Sequence, residues 1–433
     1  MSKKYELLDE TTTIKKSLED SESHILHRIK RLSDGKLGGF IENESNLSQS
    51  GDCWVDNNAK VWGNAVIEDN AKVCDNAMVY DNAIIYGNAV IRGDSVVKHY
   101  AQVCSNAEVL GEAGIGNNVK ICGNAKICDN ALIFGNSFIG ENAIIKNNAT
   151  VSESSEVTGH AIICDNSQVF GYANIYENAS ISDNAQIYGL AKVYGESEVF
   201  GNAKVCGYSI VCDKSQVYDN AKIMGSSSVM DYAEVYGNAI VSDNAQILEK
   251  AEVWGDAYIY ENASVEGEGY VYDKAKIYGN TMITENASVF ENAEVYGNSD
   301  VLGTAQVYGN ASVSSSMLSK DVEVCGNSFI ESDMLDKGII SNDDKNVKLQ
   351  IDYKDKISYD RMSELATKFK DRILELEDDY DYALEYLRDE CDMSDYELNY
   401  FGIEADDYIS YEDMNAIAGN EFDFNTLNKP KSI

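Results

Sequence analysis

From Val55 to Val313 every sixth residue is Val or Ile, forty-four times over, with no insertion or deletion. Four positions after each but the last stands a small residue, nearly always Ala or Ser, with Val119, Gly269 and Thr281 as the departures. A period this strict describes an architecture rather than a domain that carries a few motifs. It leaves no room for inserted loops that would build a substrate pocket. The unit is [VI]-x-[GDE]-N-A-x, as in Val61-Trp62-Gly63-Asn64-Ala65-Val66.

Around each Val or Ile the pattern alternates inward and outward, the period of a half-buried strand. Gly or Asp followed by Asn then marks a corner, since these residues tolerate positive φ. Six residues therefore make one short strand and one turn. Three units close a triangular coil that stacks Val on Val and Ala on Ala. The spacing predicts about fifteen coils, a rod of roughly 70 Å at the spacing of paired strands. A helical reading fails, because a period of six matches neither 3.6 nor a heptad and so many Gly and Asn disfavour helix interiors.

The expected organisation is a cap over residues 1–52, the repeat over 53–340 and a helical C-terminal domain over 341–433. The cap holds a candidate strand from Ile25 to Leu32, placed to cover the open edge of the first coil. After Val313 the register slips by one residue, to Leu318, Val324 and Ile330, and Val347, Leu349 and Ile351 read as a last strand. Met362, Leu365, Phe369, Ile373 and Leu376 are then spaced as one face of a helix.

The repeat resembles the hexapeptide-repeat, left-handed parallel β-helix proteins, and the left hand is an expectation from that resemblance alone. The entry segment, Gly38-Gly39-Phe40-Ile41-Glu42 and Asn46-Leu47-Ser48-Gln49-Ser50-Gly51-Asp52-Cys53-Trp54-Val55, looks like that of bacterial and prophage-encoded repeat proteins. Those are labelled as transferases or as proteins of unknown function, which implies a phage or mobile-element setting.

The net charge of -38 speaks against binding to a phosphate backbone or to anionic membranes. No apolar run approaches a membrane span, and the first residues have no signal-peptide pattern, so the expected location is cytoplasmic. The cysteines form no CxxC pairs and read as free thiols; Cys104 and Cys122 fall on adjacent coils of one face. No cofactor or metal is expected: corner Asp residues are diluted by Gly and Asn, and no face carries the Thr array that ice binding needs.

Many hexapeptide-repeat proteins are acyltransferases, typically trimers with a catalytic His. This chain has four histidines: His24 and His27 in the cap, His99 and His160 at corners. His99 and His160 are weak catalytic candidates, since no inserted loop flanks them and no basic cluster awaits a CoA phosphate. The outward positions say more. Sorted by eighteen, they place Phe200, Tyr218, Tyr236, Trp254, Tyr272, Phe290 and Tyr308 on consecutive coils of one face, with Tyr260, Tyr278 and Tyr296 on a second. The first ladder is either a stack that stabilises the sheet or a stripe that recognises a protein partner, another copy of the chain or a glycan.

The leading expectation is a non-enzymatic binding or scaffold rod with a protein partner, able to form a trimer or a face-to-face dimer. An acyltransferase-like enzyme is the first alternative. The second is an acidic DNA mimic that inhibits a nucleic-acid-binding or defence protein.

Overall fold

A computed structural model describes residues 3–15, 23–331 and 333–341. Two-residue strands follow one another every six residues, each paired in parallel with the strand one coil on. Val90 meets Glu108, Val96 meets Gly114 and Gln102 meets Lys120, which sets one register for all three faces. The body is a parallel β-solenoid of about 17 turns, rather than the fifteen read from the repeat alone. The difference lies at both ends, where strands outside the strict repeat join the stack.

At the start, β1 (Tyr5–Ile14) and β2 (His24–Arg31) form an antiparallel pair. β2 pairs antiparallel with β3 (Leu37–Ile41), and β3 pairs in parallel with Lys60–Val61. The Gly38-Gly39 segment thus belongs to the stack as well as to its entry. A Cβ on Gly39 would lie 2.5 Å from the Ala59 carbonyl oxygen, so glycine is required there. The buried Tyr5 hydroxyl donates to the Leu47 carbonyl at 2.7 Å. The buried Asn46 amide donates to the carbonyls of Gly63 and Ala65, which would otherwise face the open end.

At the far end Val301 pairs with Leu318 and Val313 with Ile330, so the slip of one residue is absorbed between those coils. Met317–Cys325 then lengthens and pairs with a last strand, Met334–Ser341. The expected strand at Val347 to Ile351 and the helical C-terminal domain lie outside the described residues.

The inward Ala and Val or Ile side chains form one continuous core at essentially zero exposure. Ala fits because its position closes a corner. Where Ser replaces it, the hydroxyl turns back onto the chain, as Ser197 does to the Tyr194 carbonyl at 2.7 Å.

Every sixth residue from Asn57 to Ser315 has positive φ. Glycine fills many of these corners, and Asp or Glu fills most of the others despite the strain of that conformation. The compensation is visible in the hydrogen bonds. A corner carboxylate accepts the backbone N–H of the corner one coil on: Asp69 from Gly87 at 3.0 Å, Glu177 from Gly195 at 3.0 Å, Asp243 from Glu261 at 3.1 Å. The following Asn side chains form ladders, as Asn70 to Asn88 to Asn106 along one edge at 3.1 and 3.0 Å. These corner acids therefore have a local structural use.

Candidate binding face and the histidine edges

The seven rings from Phe200 to Tyr308 stack as one column. Phe200 to Tyr218 and Tyr218 to Tyr236 are 4.8 Å apart between centroids, and Trp254 to Tyr272 is 4.4 Å. The planes stay within a few degrees of parallel throughout. Each ring is half-buried rather than exposed, because its faces are covered by its neighbours. What reaches solvent is a row of ring edges and hydroxyls. A sugar stacks on an open ring face, so this geometry removes the glycan platform from the readings of the stripe.

Beside the column runs a second outward row that includes Glu234, Glu252 and Glu323. The hydroxyls of Tyr218, Tyr236 and Tyr308 donate to these carboxylates at 3.0 to 3.2 Å. Burial, reinforced by Glu252, pushes the Tyr236 hydroxyl up to about 12. Tyr218 shifts in the same direction, for burial first and Glu234 second. The face thus combines a rigid aromatic spine with a row of oriented carboxylates.

The second ladder, Tyr260, Tyr278 and Tyr296, also stacks, at 4.8 and 5.0 Å. Three further stacked pairs escaped the sequence reading: Trp62 with Tyr80, Phe170 with Tyr188, and Tyr176 with Tyr194. All lie eighteen residues apart, so the same sorting by coil identifies them.

His99 sits at a corner with φ +60°. Its Nδ1 accepts the Asn117 N–H at 3.0 Å, and its Nε2 lies 3.8 Å from an Asp81 carboxylate oxygen. An accepting Nδ1 places the neutral ring's proton on Nε2, directed at Asp81. Neither nitrogen is then left to act as a base. The open groove around it is lined by Tyr100, Asn117, Asn118, Gly135 and Asn136, with no cation for a phosphate. His160 is exposed on a different edge, 3.3 Å from the Asn142 amide nitrogen, as a rung of an Asn ladder. The structure does not bring the two together. In the cap, His24 meets Glu42 at 2.9 Å and His27 meets the Leu8 carbonyl at 3.2 Å.

Cys104 and Cys122 are both free thiols. Burial holds the thiols of Cys122, Cys128, Cys164 and Cys212 above the usual range, which opposes a nucleophilic role at neutral pH. No group of three or more His, Cys, Asp or Glu placed to hold a metal occurs among the described residues. No helix of the described residues is long and apolar enough to cross a membrane.

No family model matches the chain, and no curated protein matches it. Among solved structures it is similar to a UDP-N-acetylglucosamine acyltransferase of Arabidopsis, at 17% identity and a TM-score of 0.18. The match covers 68% of this chain and 93% of that one. At that score the likeness carries nothing about activity.

Proposed function

We propose that the protein is a non-enzymatic rod, a left-handed β-helix that binds a protein partner through the ladder face. The observation that carries this reading is the ladder itself. Seven rings and their flanking carboxylates are fixed in position by stacking and hydrogen bonds before any partner arrives. A preorganised face costs little conformational entropy on binding, one of the terms that otherwise offset the gain from buried area. Ring edges, hydroxyls and carboxylates together suit a partner that offers Arg or Lys beside apolar side chains. The unbroken run of corners supports the same reading, since active sites are usually assembled on loops held by a scaffold.

The test is affinity capture from a host lysate with the intact chain and with a Tyr236→Ser, Trp254→Ser variant. The expected result is a protein retained by the intact chain and lost by the variant, with the variant still folded though melting lower, since two stacked rings are gone. Equal retention by both would remove the ladder as the contact surface.

A further inference from the structure

One edge of the prism differs from the other two. At the position after the corner, Asn gives way to Tyr172, Leu190 and Tyr208 on three successive coils. These side chains are 67%, 42% and 67% exposed, and the two tyrosines are the most exposed large apolar groups of the described residues. The Asn ladder of this edge, already broken once at Tyr100, runs from Asn118 to Asn136 and starts again at Asn244. The corners beside the three residues are Gly171, Gly189 and Gly207, followed by Gly225, so four coils carry no acid here. On the face leading into this edge, no outward strand or pre-corner position from Lys60 to Tyr278 is Asp or Glu, and two of these positions near Leu190 are Lys204 and Lys222. In a chain of net charge -38 this is an unusual place.

We propose that this edge is where a second copy of the chain docks, antiparallel, about a two-fold axis at Leu190. The order of residues along the edge is what such an axis requires. Tyr172 and Tyr208 flank Leu190 one coil away; Ser154 and Ser226 come next, then Asn136 and Asn244, then Asn118 and Asn262. The column reads the same in both directions over nine coils, so each residue meets its like in the opposed copy. An isologous contact is built from one self-complementary patch in this way.

The corner charges select the direction. In the antiparallel arrangement Glu153 of one copy faces Gly225 of the other, Asp243 faces Gly135, and Glu261 faces Asn117. No acid of this edge opposes an acid over that span, and Lys222 lies at the level of the opposing Glu153. In a parallel arrangement every one of these acids would face its own copy, which is repulsive.

Area sets the extent of the contact. A specific interface buries roughly 1,000 Å² or more in total. Three side chains on a narrow edge fall short of that, so the contact has to run along the Ser and Asn coils on both sides. The expected association is therefore modest, in the micromolar range, and reversible. The ladder face lies opposite this edge in the triangular coil, so a dimer leaves both ladders outward. The proposal stands whether or not the ladder binds a partner.

The test is sedimentation equilibrium of the full chain at low and at high ionic strength. The expected result is a dimer that tightens as salt rises, because screening relieves the repulsion between two acidic rods. The variant Tyr172→Asn, Tyr208→Asn restores the residue this column carries at Asn136 and Asn244. It should keep the melting curve and weaken the dimer at least tenfold. A full chain that stays monomeric at both ionic strengths, or a variant that dimerises as well as the parent, overturns the proposal. Direction is read by bis-maleimide coupling of a mixture of Ser154→Cys and Ser226→Cys chains, above the background of the parent. Coupling between the two variants supports the antiparallel register, and coupling of Ser154→Cys to itself overturns it.

Discussion

The corner residue shows how single side chains carry this fold. A non-glycine residue at positive φ is strained by about 1–2 kcal/mol, yet Asp and Glu recur there because each carboxylate accepts the next corner's N–H. Asp69→Ala removes the acceptor of the Gly87 amide and keeps the strain, so it should cost about 0.5–1.5 kcal/mol. Asp69→Asn retains an acceptor and should cost less; amide exchange at Gly87 distinguishes the two. Glycine corners are not interchangeable with acids. At Gly135, φ +81°, a Cβ would crowd the backbone of Glu153 on the next coil. The ladder tyrosines give a pH signature. A Tyr236 hydroxyl raised from 10 to about 12 favours the protonated form in the folded state. Its contribution is fully present below pH 10 and is lost as pH rises through 12. Tyrosinate absorbance should therefore lag that of the unfolded chain, and the melting temperature should fall across that window. A ladder that titrates like free tyrosine would remove burial as the cause. The corner-to-corner bonds were not legible in the sequence, because they join residues eighteen apart whose alignment depends on closing the coil.

At the scale of the coil, the inward pair of Ala and Val or Ile leaves no slack. Ala245→Leu forces extra methylenes into a fully buried corner and should destabilise by about 1–3 kcal/mol. Because each coil rests only on its neighbours, the loss should appear as faster amide exchange in the coils around residue 245, with distant coils unchanged. A uniform response along the rod would contradict nearest-neighbour stacking. The coil was legible because hydrophobic period and turn chemistry agree at every unit. The coil number was short because β3 and Met334–Ser341 stack without obeying the repeat. The ladder was legible as a column of ring-bearing residues, but its half-buried state was not. Exposure depends on whether a ring lies flat on its neighbour or projects past it, and sequence does not encode that. His99 shows the opposite case: the sequence offered it as a weak catalytic candidate, and only the Asn117 amide reveals that Nδ1 is already occupied.

At the scale of the whole molecule, the acids are divided unequally. The edges carry them at corners where they hold the coils together, interrupted at irregular intervals by Gly and Asn. Regular rows at the spacing of phosphates would have favoured a nucleic-acid mimic; these interruptions lend it no support. Charge also keeps long β-rods from pairing indiscriminately, which leaves the ladder face and the edge around Leu190 as the surfaces with recognisable chemistry. The direct measurement of the central claim is native mass spectrometry of the protein isolated from its own cells. The account predicts the mass of the rod together with a whole protein partner. A rod that instead carries an acyl-CoA, and loses acyl transfer on His99→Asn or His160→Asn, would contradict it.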